Sequence, residues 1–153
     1  MNVIATWQNS YSVGIKMFDK QHMELINLTN KLYSSCFENK DLSNFVFLDT
    51  IHDTVDYVKY HFGTEEKVME KLNYPKFKEH KSEHADFVRQ VFARVNDFRS
   101  GKANTSIAFV RFLKDWILHH IAVCDKEMGK FVIEKIKSTE TQNKDLNIEK
   151  PGK

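Results

Sequence analysis

The sequence predicts an all-α protein, an antiparallel up-down-up-down four-helix bundle with an ordered N-terminal arm. Three observations carry this expectation. Apolar residues recur at steps of three and four through four long segments. Only five Gly and two Pro punctuate the 153 residues, too few for the turns of a sheet fold. The segments are separated by a few residues each, which makes sequential helices antiparallel neighbours. A chain of this length holds one domain around one core, and no internal repeat is evident.

The arm comes first. Residues 1–18 keep no sustained period but carry Trp7, Tyr11, Gly14 and Phe18, suited to packing over a helical body. Asp19 is expected to cap the first helix, where Leu25, Ile26, Thr29, Leu32, Tyr33 and Cys36 recur at helical spacing, and the stretch ENKDLSN ends it. The second helix is expected from about Asn44 to Leu72, with a seam of Leu48, Ile51, Val55, Val58, Phe62, Glu65, Met69 and Leu72. Pro75 is placed to open the third, whose seam is Phe77, His80, His84, Phe87 or Val88, Val91, Val95 and Phe98. In SGKANTS, Gly101 is a stop and Asn104 or Thr105 a cap. The fourth stripe runs Phe109, Leu113, Trp116, Ile117, His120, Ile121, Cys124, Met128, Val132 and Ile136. Beyond Ile136 the period is lost, so the expected bundle domain is 1–136 and residues 137–153 read as a frayed polar tail.

Charge and composition narrow the function. With 23 basic and 21 acidic residues interspersed, the chain has no basic stripe for nucleic acid. No stretch approaches the roughly 18 apolar residues of a membrane span, and the start lacks a basic segment leading into an apolar run. A cytoplasmic protein with no membrane partner is therefore expected, a monomer rather than an oligomer, with its protein partner left open. Cys36 and Cys124 lie in apolar patterns without short spacing and are expected as buried free thiols, not a disulfide or metal pair.

The seams contain residues that do not belong in hydrocarbon. A buried imidazole or carboxylate costs free energy unless it is hydrogen-bonded, paired or bound to a metal. One such residue would be ordinary, but all four helices carry them: His22; His61 and Glu65; His80 and His84; His120 and Asp125. His61 with Glu65, and His80 with His84, stand one turn apart on one face. Five imidazoles and two carboxylates exceed one metal ion's needs, and carboxylates can bridge, so two ions of iron, manganese or zinc suit the set. His120 and Asp125 differ by about 140° on a regular helix; a π turn between them would bring both to one side, and such turns are frequent at functional sites. By the same geometry His52 and His119 should face away from the site.

Four motifs in order, W…YSVGI..FD.QH (Trp7 to His22), HF..EE..M (His61 to Met69), YP....H...H..F (Tyr74 to Phe87) and W...HI...D (Trp116 to Asp125), resemble the hemerythrins, in particular single-domain bacterial ones. The resemblance covers most of the chain. It implies reversible O2 binding at a non-haem di-iron centre, for storage, delivery or buffering. His80, His84 and His120 would hold one iron and His22 and His61 the other, with Glu65, Asp125 and a solvent-derived oxygen as bridges. One iron would be saturated and the other would keep an open position. Leu25, Phe62, Trp116, Ile117 and Ile121 match positions lining the family's O2 pocket, although leucine is common where Ile117 stands, and the tail after Ile136 extends past the matched part.

Three other readings compete: a di-iron redox enzyme handling peroxide or NO, a free-standing sensor, and a structural metal site. Di-iron oxidases of helical bundles use paired Glu-x-x-His motifs, and this chain has none. A free-standing O2 or redox sensor would have to act through its surface or tail. A structural zinc site needs four ligands, fewer than the seven here.

Overall fold

The computed structural model describes residues 2–37, 40–102 and 105–148. The helices are α1 (Lys16–Ser35), α2 (Lys40–Lys71), α3 (Phe77–Arg99), α4 (Thr105–His120) and α5 (Lys126–Ile148), and a π turn over Ile121–Asp125 joins α4 to α5. Backbone angles at His120 and Lys126 are α-helical, so α4, the π turn and α5 form one rod, the fourth helix of an all-α bundle. α1 packs on α2 and α4, and α3 packs on α2 and α4. Among the described residues no helix is long and apolar enough to cross a membrane.

The seams close two apolar clusters. The larger includes Leu32, Phe47, Ile51, Val91, Phe109 and Leu113; the smaller joins Val13, Phe18, Met69, Tyr74, Met128 and Val132. The arm is tied down by polar contacts. Asn30 Oδ1 accepts the Ile4 and Ala5 N–H groups at 2.9 and 3.1 Å, and its Nδ2 donates to the Ala5 carbonyl at 2.8 Å. Further along, Val13 lies against Gly129, where a Cβ would sit 2.5 Å from the Val13 carbonyl oxygen. Only glycine admits the arm at that point.

Several expected boundaries shift for identifiable reasons. Asp19 does not cap α1. Ile15 occupies the cap position, so the arm ends there and Phe18 is helical. Asp19 sits in the first turn, where its carboxylate accepts the Ser12 hydroxyl at 2.6 Å and the Val13 N–H at 2.8 Å, fastening the arm. α1 ends at Ser35, before ENKDLSN, and α2 starts at Lys40, earlier than Asn44. Pro75 lies in a turn ahead of α3, whose cap is Lys76, after Asn73 reverses the chain with φ 53°. Gly101, at φ 72°, stands just past α3 as a stop; Asn104 lies outside the described residues. Cys36 and Cys124 are free but only half-buried.

Residues 137–148 are not frayed but continue α5, and residues 149–153 lie outside the described residues. No period shows there because the described side chains over 134–141 are all exposed, Ile136 half so. Lys, Glu and Gln sustain a helix without a buried face, while the Ser138 and Thr139 hydroxyls donate to the Lys135 carbonyl.

Candidate metal centre

All seven candidate ligands converge between the two apolar clusters. His22, Glu65 and Asp125 are fully buried, and His61, His80, His84 and His120 nearly so. They form two overlapping groups whose possible ligand atoms lie within 4.8 Å of one another: His80, His84 and His120 with Glu65 and Asp125, and His22 and His61 with the same two carboxylates.

The carboxylates divide their oxygens between the groups. Glu65 Oε1 lies 3.6 Å from His22 Nε2 and 3.5 Å from His61 Nε2, whereas Oε2 lies 3.7 Å from His80 Nε2 and 3.3 Å from His84 Nε2. Asp125 Oδ2 faces His22 Nε2 at 3.2 Å, and Oδ1 faces His80 and His120 Nε2 at 3.2 and 3.1 Å. His120 Nε2 stands 3.1 Å from His84 Nε2 and 3.0 Å from His80 Nε2.

The backbone produces this in a regular way except at one place. On α2 and α3 the pairs use i, i+4 spacing. On the fourth rod the π turn expected between His120 and Asp125 is present, and it puts both side chains in the core. His52 and His119 are exposed, as their rotation requires.

Electrostatics follow from packing charges without a cation. Burial works against protonation of His22 and His80, but Asp125 and Glu65 outweigh it and hold both imidazoles near 9. Burial lowers His61 to about 4, only partly offset by Glu65. Burial pushes Glu65 and Asp125 up, and the Asp125 charge adds to this at Glu65, yet the surrounding imidazoles hold both well below the usual carboxylate range. The hydrogen-bond inventory tests the fit to a metal. Six buried side-chain atoms among the described residues have no hydrogen-bond partner, and all belong to this set: both nitrogens of His22 and all four oxygens of Glu65 and Asp125. Orphans in such number are costly, and they are nitrogen and carboxylate donors of the kind that hold iron, manganese or zinc.

Aromatic and aliphatic side chains wall the site. Phe62 stacks on His84 with centroids 3.7 Å apart, and Trp116 on His120 at 4.4 Å. A cavity reaching His61, His120 and Asp125 is lined by Leu25, Phe62, Trp116, Ile117 and Ile121, together with Val58 and Phe87, which sequence reasoning had placed only in the core.

Sequence reasoning missed an outer set of partners. Gln21 Oε1 stands 2.9 Å from His61 Nδ1, Glu66 Oε1 3.2 Å from His84 Nδ1, and Glu83 Oε2 3.1 Å from His120 Nδ1. With each Nε2 facing the centre, these Nδ1–H groups donate outward. α1 thus supports α2, α2 supports α3, and α3 supports the fourth rod. Each acceptor adjoins a site residue in sequence, at Gln21–His22, Glu65–Glu66 and Glu83–His84, and that adjacency is the signal that could have found them. Cys124 Sγ donates to the same Glu83 oxygen at 3.1 Å; burial and Glu83 push its thiol up to about 12.

Fold and site together define a helical-bundle protein with a buried cluster of histidine and carboxylate side chains suited to metal. Residues 13–132 match the family model described as the hemerythrin HHE cation binding domain. A bacteriohemerythrin of Methylococcus capsulatus is 30% identical over 127 residues, covering 82% of this chain and 95% of its own. A myohemerythrin of Riftia pachyptila is 30% identical over 119 residues, covering 78% and 86%. A crystal structure of wild-type hemerythrin superposes with a TM-score of 0.77 at 27% identity, covering 85% of this chain and 98% of that one. The chain belongs to the hemerythrin family.

Proposed function

We propose that this protein binds O2 reversibly at a non-haem di-iron centre, serving oxygen storage, delivery or buffering in the cytoplasm and not catalysis. The observation that carries the reading is the division of Glu65 and Asp125, each offering one oxygen to a three-imidazole group and the other to a two-imidazole group. His80, His84 and His120 would hold one iron, His22 and His61 the other, and the carboxylates would bridge them.

A ferrous pair held there supplies the two electrons that reversible O2 binding requires. The chain's own part is to orient and to exclude. Unequal imidazole counts leave the two-histidine position with fewer protein ligands and therefore accessible to an exogenous molecule. Leu25, Phe62, Trp116, Ile117 and Ile121 keep the adjoining cavity apolar, which limits the water and protons that would strand the irons as ferric. Apart from His61, His120 and Asp125, the residues lining that cavity are apolar.

The test is an absorption spectrum of anaerobically reduced, iron-loaded protein cycled between air and argon, with iron content measured in parallel. Two irons per chain and a visible band that appears in air and disappears under argon are the expected result. Irreversible conversion to a ferric spectrum would reject reversible binding in favour of a redox enzyme or sensor.

A further inference from the structure

The outer hydrogen-bond partners are not alike on the two sides of the centre. In the three-imidazole group, His84 and His120 donate to the carboxylates of Glu66 and Glu83. In the two-imidazole group, His61 donates to the neutral amide oxygen of Gln21, and His22 Nδ1 has no hydrogen-bond partner. A carboxylate acceptor draws the N–H proton toward itself and makes the opposite ring nitrogen a stronger donor to a metal, whereas an amide fixes the ring with much less of that effect.

We infer that Gln21 is a positioning residue that fixes the His61 ring while withholding charge from it, making the two-imidazole position the electron-poorer half of the pair. The inference rests on the two-metal reading above. Burial explains the choice of side chain. Gln21 is 5% exposed, where a carboxylate would carry a heavy desolvation cost. The side chains of Glu66 and Glu83 are 23% and 51% exposed, and Glu66 also meets Lys81 at 3.2 Å, so charge is tolerated at those two places. The consequence is electronic asymmetry: weaker donation favours the lower oxidation state at the position with fewer protein ligands, the one an incoming molecule would meet.

The experiment uses the full chain loaded with Co2+, and separately with iron. Gln21→Met keeps side-chain length and removes the acceptor. It should weaken binding at the two-imidazole position by about 10- to 100-fold, and displace the His61 Nδ1–H resonance of the Co2+ protein while those of His84 and His120 stay in place. Gln21→Glu should restore that affinity but move the midpoint potential of the iron-loaded protein to more negative values, a shift that a purely structural side chain would not produce. Glu83→Gln, at a half-exposed position, should weaken the three-imidazole position instead, and it keeps the asymmetry testable if substitutions at buried Gln21 do not fold. Unchanged affinity and potential in both Gln21 variants, or unchanged three-imidazole affinity in Glu83→Gln, would overturn the inference. Uptake of a single Co2+ by the wild-type chain would instead remove the two-metal reading beneath it.

Discussion

Two levels of the bundle use the same helical spacing for opposite purposes. Where Phe47 meets Phe98 and Phe109, with ring centroids 4.8 and 6.1 Å apart, the inward positions are hydrocarbon. Further along the same helices the inward positions are imidazole and carboxylate, and six of their atoms lack hydrogen-bond partners, although all but His22 Nδ1 face an imidazole or carboxylate of the set at 3.1–3.7 Å. The first level stabilises the chain whatever is bound. The second costs roughly 1–3 kcal/mol for each buried group left unpaired, until a cation satisfies it. Periodicity therefore specifies which residues face inward, and side-chain chemistry decides whether that face holds the fold or holds a ligand.

The largest test of this division is at His61. His61→Ala should abolish O2 binding and lower the iron content, whereas His52→Ala and His119→Ala, on exposed faces, should leave both unchanged; loss in either control would break the assignment of faces. At the apolar level, Phe47→Ala should cost about 3–5 kcal/mol in a denaturant melt, equally with and without metal, and should leave metal stoichiometry intact. A cost that appears only in the metal-loaded protein would mean the two levels are coupled.

pH sharpens the contrast further. Without metal, His22 and His80 sit near 9 in the folded chain, above the roughly 6.5 of an unfolded histidine. Their contribution to apoprotein stability is fully present below pH 6.5 and is lost as pH rises through 9. Metal ligation needs both rings neutral, so binding should release protons below about pH 9 and strengthen as pH rises. The gap between metal-loaded and metal-free melting temperatures should widen from pH 6.5 to pH 9, and a constant gap would contradict the sign. The smallest effect is expected at Gly63, where an added Cβ meets nothing within 4 Å. Gly63→Ala should stabilise α2 by about 0.5–1 kcal/mol without changing the metal-bound spectrum.

Much of the fold and site was legible because burial imposes period. His61, Glu65, His80 and His84 stand out as polar residues interrupting an apolar seam, and the five-residue step from His120 to Asp125 implies the π turn that is present. Features that depend on a neighbour rather than on periodicity were not legible. Asp19 looks like a cap because its type suits one, but its carboxylate reaches back to Ser12 and Val13. Gln21, Glu66 and Glu83 lie beside site residues, where a polar side chain resembles ordinary surface until the next helix brings its imidazole. The helix beyond Ile136 was invisible because hydrophobic periodicity marks a covered face, and the described side chains of 137–141 are all exposed.

The π turn bears on how chain length is handled in the fourth rod. A π turn takes up one residue more than an α turn while leaving its flanks in phase with the core. A chain one residue shorter between His120 and Asp125 would therefore keep Met128 and Val132 inward, with the imidazole and carboxylate four apart as His61 and Glu65 are. Straightening the segment at constant length would instead swing everything downstream by about 100°, taking Asp125 from the centre, Met128 from the second cluster and Gly129 from the arm. In this chain, residues 121–124 are a segment where an insertion or deletion, more than a substitution, would decide whether site, core and arm stay aligned.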